Sequence, residues 1–299
     1  MCTAIKLQSG LFGRTLDYEI SFGEEVLLTP REQVTFGESK NRYAMLGVGV
    51  MRDGVPLYFD GMNEWGLCAA ALNFKGYAAY HTPPKGEASV PCGSLVGLIL
   101  GYCRNTDEAR GALGRLTIRS DGESAPLHWM ICDRRGAIVV ESVDDGLKIY
   151  DNPIGVLTNA PDFSYHMTRI KDFHYLSASN HSVDGYSRGM GGMGLPGDFS
   201  SSSRFVRAAF FCRVCEGKSV GDFFKIADNL SIPKGAVITD EGRAVETLYT
   251  CCCDPESLTY YFTCRTDRNI SCVKLTDSLR DGRKIVSYPL YHDEKIHSL

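Results

Sequence analysis

Strand-like and helix-like segments occur in blocks along this chain, and their order constrains the fold more than any other feature. The chain opens with short apolar segments, and residues 2–8 and 11–16 around Ser9-Gly10 are typical of a β-hairpin. Helices, strands, helices and strands then follow. Doubly wound parallel folds alternate helix and strand more regularly. We therefore expect an α+β fold, a four-layer α/β/β/α sandwich of two mostly antiparallel sheets, in one domain over residues 1–299.

The other elements are placed from apolar periodicity, caps and turns. Strands are predicted at residues 26–29, 43–51, 68–74, 127–132, 137–143, 245–252, 258–264 and 270–275, and helices at 94–103, 163–176 and 219–230. Two more helices are expected to begin with capping residues at Thr106 and Ser203. Residues 181–203 are rich in Gly and Ser. Because no G-K-[ST] motif follows, they are predicted to form a packed functional loop or an assembly surface, not a phosphate cradle.

Composition and charge exclude several functions. The 299 residues are 43% hydrophobic and carry a formal net charge of −4 without a block of basic residues, so we expect no nucleic-acid partner. No apolar run has membrane-spanning length, and the start lacks the charged and apolar regions of a signal peptide. The sequence therefore predicts a cytoplasmic protein that does not bind a membrane.

Twelve cysteines raise the question of disulfides or a metal site. Cytosolic thiols stay reduced, which argues against a disulfide framework. Cys212 and Cys215 form a C-x-x-C pair without a second ligand pair nearby, and we interpret them as buried thiols on a helix. Cys251, Cys252 and Cys253 fall in a predicted strand, where successive side chains point to opposite faces and cannot converge on one ion. We expect no metal and no cofactor.

Cys2 follows Met1 directly and begins the first predicted strand. If Met1 is removed, one residue carries both a thiol and a free α-amine. The amine titrates near neutral pH and can take the thiol proton, which is how N-terminal nucleophile enzymes activate their attacking group. A small second residue also occurs by chance in many chains, so Cys2 by itself leaves both interpretations open.

Four polar residues are candidates to assist such a nucleophile. Arg14 and Asp17 would come near Cys2 if the first two strands pair, so that Asp17 could hold the terminal ammonium and Arg14 could favour the thiolate. An ordinary surface ion pair is the alternative. Asn73 and Asn159 each follow an apolar run, and each could donate to an oxyanion or simply form a turn.

Longer motifs resemble the choloylglycine hydrolase family, which comprises bile salt hydrolases and related penicillin V acylases. The resemblance runs from Met1 to around residue 275, nearly the whole chain. It rests on CTA (2–4), GRTLDYE (13–19), DGMNE (60–64) with GL (66–67), LNF (72–74), LHW (127–129), GVLTN (155–159), GLPGDF (194–199) and SRF (203–205). Motifs of this length in one order are specific to a family.

The resemblance implies an N-terminal nucleophile hydrolase with the four-layer sandwich and no cofactor. Cys2 would be the nucleophile and its own amine the base. The main-chain N–H of Asn73 and the side chain of Asn159 would form the oxyanion hole.

The resemblance also implies charge control and an acyl pocket. Asp17 would position the α-amine, and Arg14 and Arg204 would tune the charge around it. Leu16 and Phe59 fall where the family lines its pocket, which should be apolar for a rigid bile acid.

The implied reaction is hydrolysis of the amide bond in glycine- or taurine-conjugated bile acids. Asparagine at position 73 favours bile salts, because some penicillin V acylases carry tyrosine there. Residues 117–125 resemble a loop that shapes the pocket mouth, and Phe59 is bulkier than the small residue expected there, which would narrow the pocket. The family forms a homotetramer partly through a projecting loop. That assembly is in question here, because the segment between Asn159 and Arg204 is shorter than in many relatives.

Several alternatives stay open from the sequence. A penicillin V acylase, or an acylase of other N-acyl amides such as acyl-homoserine lactones, would share the chemistry and differ in the pocket. The same thioester could also pass its acyl group to another amine. A non-catalytic bile-acid-binding protein would keep the pocket without turnover, but the intact polar set argues against it.

Overall fold

A computed structural model describes residues 1–37, 39–180 and 187–296. Residues 181–186 of the predicted loop 181–203 lie outside the described residues. The strands in the described part are β1 (Cys2–Lys6), β2 (Phe12–Tyr18), β3 (Glu25–Thr29), β4 (Val34–Phe36), β5 (Ser39–Lys40), β6 (Met45–Arg52), β7 (Val55–Tyr58), β8 (Asp60–Asn63), β9 (Cys68–Asn73), β10 (Ser89–Pro91), β11 (Thr117–Arg119), β12 (Leu127–Cys132), β13 (Ala137–Val143), β14 (Gly146–Asp151), β15 (Val156–Leu157), β16 (Val237–Ile238), β17 (Ala244–Asp254), β18 (Thr259–Cys264), β19 (Asp267–Lys274) and β20 (Val286–Pro289). The α-helices described are α1 (Leu95–Tyr102), α2 (Thr106–Leu113), α3 (Phe163–Arg169), α4 (Ser201–Val214), α5 (Val220–Asp228) and α6 (Asp277–Arg280).

Most of these strands belong to two antiparallel sheets. Sheet I has the strand order β15–β1–β2–β17–β18–β19, with β16 paired to β17. Sheet II has the order β14–β13–β12–β9–β8–β6–β3–β20, with β7 paired to β6. The small pairs β4–β5 and β10–β11 lie apart from both sheets.

Helices cover the outer face of each sheet. Helices α4 and α5 pack on sheet I, and helices α1 and α2 pack on sheet II. Between the sheets lies an apolar layer in which Phe12 and Leu16 of sheet I share a buried cluster with Met62 and Leu72 of sheet II. The predicted four-layer α/β/β/α sandwich is therefore confirmed.

The hairpin β1–β2 lies inside sheet I, between β15 and β17. Gly13 allows this close packing, because a Cβ at that position would lie 1.9 Å from the carbonyl oxygen of Cys251 on β17. In the β1–β2 register Cys2 pairs with Leu16 and Ala4 pairs with Arg14. These side chains therefore share one face of the sheet, with Arg14 diagonal to the nucleophile candidate.

Two helix caps differ from the sequence prediction. Helix α2 is capped by the Asn105 side chain, and Thr106 instead donates its hydroxyl to Asp133 at 2.8 Å. Helix α4 is capped by Ser200, whose side chain accepts from the N–H of Ser203. Both segments contain several residues able to cap, and tertiary contacts select among them.

The remaining helix differences are small. The helix predicted over residues 163–176 ends at Arg169 and tightens into a 3-10 turn over Ile170–Phe173, a common way for helices to end.

The three consecutive cysteines, Cys251, Cys252 and Cys253, lie in β17 as predicted, and all twelve cysteines carry free thiols. No helix in the described part of the chain is long and apolar enough to cross a membrane.

Candidate active site

Cys2 lies at the start of β1 and is 2% exposed. Arg14 Nη2 donates to the Cys2 sulfur at 2.5 Å. The contact follows from the hairpin register, because residues diagonal to each other on one sheet face lie within reach of a long side chain. A guanidinium in contact with the sulfur stabilises negative charge on it.

The Arg14 side chain is fully buried between the two sheets. Its Nη1 donates to the main-chain oxygen of Ala71 at 2.8 Å and lies 3.9 Å from the Asp60 carboxylate. Burial lowers the pKa of Arg14, but the nearby Cys2, Tyr249 and Asp60 outweigh this effect and raise the pKa above its ordinary value. The cation beside the sulfur is therefore permanent.

The Asn159 side chain connects three chain segments around the nucleophile. Its Oδ1 accepts from the main-chain N–H of Cys2 at 2.8 Å and from Arg204 Nη2 at 2.6 Å. Its Nδ2 donates to the carbonyl oxygen of Asn73 at 2.8 Å. One carboxamide thus joins β1, the end of β9 and helix α4, and it retains a second N–H.

The main-chain N–H of Asn73 points away from the neighbouring strand β12. The N–H of the next residue, Phe74, donates to the carbonyl oxygen of Pro126 at 2.7 Å, and Asn73 lies opposite Leu127 in the β9–β12 register. Since hydrogen-bonded and non-hydrogen-bonded pairs alternate along an antiparallel ladder, Asn73 occupies a non-hydrogen-bonded position. This N–H is consequently available to a ligand.

Asp17 is fully buried on β2, on the face of sheet I opposite to Cys2 and Arg14. Its carboxylate accepts hydrogen bonds from the hydroxyl groups of Thr15 at 3.0 Å and Thr247 at 2.5 Å. The terminal nitrogen of Met1 donates to the main-chain oxygen of Asp17. With Met1 present, the chain terminus thus lies at the main chain of Asp17.

Arg204 reaches the site from the first turn of α4. It donates from Nη1 to the carbonyl oxygen of Cys2 and, at 2.6 Å, to the hydroxyl of Thr3. Burial lowers the pKa of Arg204, while Asp17 and Cys2 partly oppose that effect. Arg204 therefore fixes the main chain of the nucleophile, whereas Arg14 contacts its sulfur.

A cavity of about 210 Å³ opens beside the Cys2 sulfur. It is lined by Cys2, Arg14, Leu16, Tyr18, Phe22, Val50, Arg52, Leu57, Tyr58, Phe59, Ala71, Asn73, Gly93, Glu123, Ser124, Ala125 and Leu127. Phe22 and Phe59 form a T-shaped pair with ring centroids 5.6 Å apart. The cavity is thus a mainly apolar pocket with the reactive groups in its wall, and Arg52 and Glu123 form an exposed ion pair beside it.

The structure brings all eight residues singled out from the sequence to one region. Cys2, Arg14, Leu16, Phe59 and Asn73 line the cavity. Asn159 and Arg204 are hydrogen-bonded behind Cys2, and Asp17 lies beneath it. Ser124 and Ala125, from the predicted mouth segment 117–125, also line the cavity.

The polar support under Arg14 was not predicted from the sequence. Asp60 accepts hydrogen bonds from the hydroxyls of Tyr249 and Tyr260 and from the Cys251 thiol at 3.3 Å. Burial raises the pKa of both tyrosines, so they remain donors. The position of Asp60 at the start of the DGMNE motif was a signal, but the partners on β17 and β18 are distant in sequence.

Comparisons with known proteins place this chain among the linear amide C–N hydrolases. A family model for linear amide C–N hydrolases of the choloylglycine hydrolase family matches residues 2–288. The bile salt hydrolase/transferase of Lactiplantibacillus plantarum is 39% identical over 323 aligned positions, covering all of both chains. A mutant of the conjugated bile acid hydrolase from Clostridium perfringens superposes with a TM-score of 0.93 at 30% identity over the whole of both chains. The penicillin V acylase of Agrobacterium tumefaciens, 20% identical, shares the fold with a TM-score of 0.79 over 96% of this chain and 90% of that one.

Proposed function

This chain belongs to the choloylglycine hydrolase family of linear amide C–N hydrolases, and on that premise we propose that it cleaves the amide bond of bile acids conjugated to glycine or taurine. The observation that carries this proposal is the apolar cavity whose wall contains the Cys2 sulfur and the Arg14 guanidinium. The substrate class is supported by the names of full-length relatives, including the bile salt hydrolase/transferase that is 39% identical.

We propose that removal of Met1 converts the Cys2 amide into a free amine. In the structure this nitrogen already donates to Asn159 Oδ1 at 2.8 Å, so the new amine would be held in place. The amine takes the thiol proton, and the sulfur attacks the amide carbonyl carbon. Arg14 stabilises the charge on the sulfur before the attack.

The attack places negative charge on the former carbonyl oxygen. The main-chain N–H of Asn73 and the second N–H of Asn159 Nδ2 are the donors proposed for it. Preorganised donors of this kind act mainly on the transition state, so they raise kcat more than they lower KM.

The intermediate collapses when the protonated amine of Cys2 gives its proton to the leaving nitrogen. The C–N bond breaks, glycine or taurine departs, and the acyl group remains on sulfur as a thioester. The same amine then deprotonates a water molecule, which attacks the thioester carbonyl. The free bile acid leaves, and the thiol regains its proton.

An amine in place of water would give acyl transfer from the same thioester. The names of the Lactiplantibacillus plantarum and Clostridium perfringens relatives, both bile salt hydrolase/transferase, support this second outcome. It requires no further catalytic group, because the Cys2 amine deprotonates either acceptor.

One observation favours an acylase for smaller N-acyl amides, such as penicillin V. The cavity is only about 210 Å³, and the Phe22–Phe59 pair narrows it. A phenoxyacetyl group is smaller than a steroid nucleus and would need less room. We rank this second because the full-length curated relatives are named for bile acids.

Side-by-side hydrolysis of glycocholate, taurocholate and penicillin V by the purified protein tests the proposal. Amine release is followed for each substrate, and the mass of the N-terminus is measured in the same preparation. We expect Met1 to be absent and the bile salts to be cleaved fastest. Preferential cleavage of penicillin V would replace the substrate assignment, and a retained Met1 without turnover of any substrate would favour a binding protein.

We also propose a cytoplasmic homo-oligomer, the tetramer that the family resemblance implies. Large apolar side chains of the segment between Asn159 and Arg204 are exposed, among them Tyr165, Tyr175 and Met193. If these side chains meet in one continuous apolar patch, that patch is the candidate interface. Light scattering on the eluting protein checks this, and a monomer at all concentrations would contradict it.

A further inference from the structure

Two buried histidines lie behind Asn159 and take no part in the proposed chemistry. His128 on β12 and His166 on α3 have almost no exposed surface. His128 Nε2 lies 2.9 Å from the carbonyl oxygen of Thr158, and His166 Nε2 lies 2.9 Å from that of Asn159. Because a carbonyl oxygen only accepts, the Nε2 atom of each histidine must carry hydrogen and donate it.

We propose that His128 and His166 are positioning residues that hold the two peptide groups flanking Asn159 and thereby orient its carboxamide. The Thr158 carbonyl belongs to the peptide group before Asn159, and the Asn159 carbonyl to the one after it. With both peptide groups fixed, the Asn159 side chain keeps its contacts with the Cys2 nitrogen and the Asn73 oxygen. A proposed oxyanion donor needs this support, since small displacements at a reacting centre are costly.

His128 supports both segments of the proposed oxyanion hole. Its ring stacks on Phe74, with centroids 4.2 Å apart and planes 9° from parallel. Phe74 directly follows Asn73, whose main-chain N–H is the other proposed donor. The imidazole therefore contacts the chain beside Asn73 with its face and the chain beside Asn159 with its edge.

Glu141 fixes the orientation of the His128 ring. His128 Nδ1 lies 3.1 Å from Glu141 Oε1, which also accepts from the main-chain N–H of Phe163 at 3.0 Å. Since Nε2 donates to Thr158, one more proton must lie between Nδ1 and Oε1, on the imidazole or on the carboxyl group. Without it, two lone pairs would face each other. The hydrogen bond between His128 and Glu141 therefore prevents the imidazole ring from flipping.

His166 is held in the same way from the helix side. Its ring stacks on Phe205, with centroids 4.8 Å apart, next to the proposed charge-tuning residue Arg204. Burial lowers the pKa of His166 to about 4, so at neutral pH the ring carries a single proton, which the contact with Asn159 assigns to Nε2. Ser201 Oγ donates to the same Asn159 oxygen at 2.8 Å.

The inference rests on the proposed role of Asn159 as an oxyanion donor, and paired substitutions test it. In His128→Gln the amide nitrogen lies near the original Nε2, whereas in His128→Asn it lies near Nδ1. With glycocholate, or penicillin V if the wild type prefers it, we expect His128→Asn to lower kcat about tenfold or more with KM within about twofold. We expect His128→Gln to stay within about threefold of the wild-type kcat, because the donor to Thr158 is kept.

Trp129→Phe is the matched control. Trp129 is the next residue on β12, is equally buried, points to the opposite face and has no partner for its indole N–H among the described residues. We expect an unchanged kcat. His166→Gln and His166→Asn repeat the comparison for the second peptide group, so the test survives if one His128 variant does not fold.

A double-mutant cycle separates positioning from a purely structural role. If His128 acts through Asn159, then His128→Asn should cost little extra kcat in an Asn159→Ala background. Wild-type kcat in both His→Asn variants, or losses fully additive with Asn159→Ala, would overturn the inference while the proposed function stands. Wild-type kcat in Asn159→Ala would overturn the role of Asn159, and the inference with it.

Discussion

The Arg14 guanidinium donates to the Cys2 sulfur from a diagonal position in the β1–β2 hairpin. The same guanidinium donates across the sheet interface to the main chain of Ala71. The charge beside the proposed nucleophile is therefore positioned by the packing of two sheets and not by a loop. A rigid support of this kind keeps the reacting geometry fixed.

Arg14→Lys should lower kcat by about tenfold or more while KM changes little. A single ammonium cannot contact the Cys2 sulfur and the Ala71 oxygen together. Steady-state kinetics on the preferred substrate measure both constants. Arg110→Lys, in an exposed ion pair with Asp151 and outside the cavity lining, is the control and should keep kcat. Equal kcat for Arg14→Lys and wild type would show that contact with the sulfur is unimportant.

Asp60→Asn should destabilise the protein by about 3 kcal/mol, because it leaves the buried Arg14 without its compensating charge. Urea unfolding at neutral pH gives the free energy of unfolding. Glu123→Gln breaks the exposed pair with Arg52 and should cost about 0.5 kcal/mol or less. Similar losses for the two variants would contradict the assigned role of Asp60.

The hairpin and the order of elements were predictable because they depend on local patterns: apolar alternation, turns and caps. The hairpin register alone places three side chains on one face of the sheet, those of Cys2, Arg14 and Leu16. That register follows from the local sequence of the two strands and their turn. Asn159 and Arg204 reach the site through long-range packing. The apolar run before Asn159 made it a candidate, whereas only the family resemblance indicated Arg204. Asp60 was missed because its partners, Tyr249 and Tyr260, lie on distant strands.

The residues that cap helices α2 and α4 could not be predicted from the sequence. Serines at positions 200–203 are all chemically able to cap α4, and the sequence does not distinguish among them. The choice of Ser200 depends on where the preceding loop joins the fold. His128 appeared in the LHW motif without a role, because its contacts with Thr158 and Glu141 exist only once β12, β13 and β15 are assembled.

Phe59→Ala should raise kcat/KM for glycocholate relative to penicillin V by about tenfold, because it removes half of the aromatic pair that narrows the cavity. Competition between the two substrates in one reaction measures the ratio directly. Phe22→Ala should act in the same direction. An unchanged ratio in both variants would mean that these rings do not limit the acyl group.

His166 should make the protein sensitive to acid. Burial, with a smaller contribution from the Arg204 guanidinium, lowers its pKa from 6.5 to about 4, against the opposing effects of Asn159 and Asp162. Below pH 6.5 the unfolded chain therefore binds a proton at His166 that the folded chain does not bind. The free energy of unfolding consequently falls as the pH is lowered from 6.5 to about 4.

Between pH 7 and pH 4 the wild type should lose about 3 kcal/mol more unfolding free energy than His166→Gln, which has no group to protonate. Unfolding curves across this range measure the difference. Parallel pH profiles for the two proteins would show that His166 is not held neutral by burial.

In the proposed mechanism, the thiol of Cys2, exposed by removal of Met1, attacks the substrate carbonyl. Acid quenching during turnover of glycocholate, followed by mass spectrometry of the N-terminal peptide, tests it most directly. We expect a peptide that begins at Cys2 and carries a cholyl thioester, and no adduct or turnover in Cys2→Ala. Turnover that persists in Cys2→Ala, or an adduct on any other residue, would contradict it.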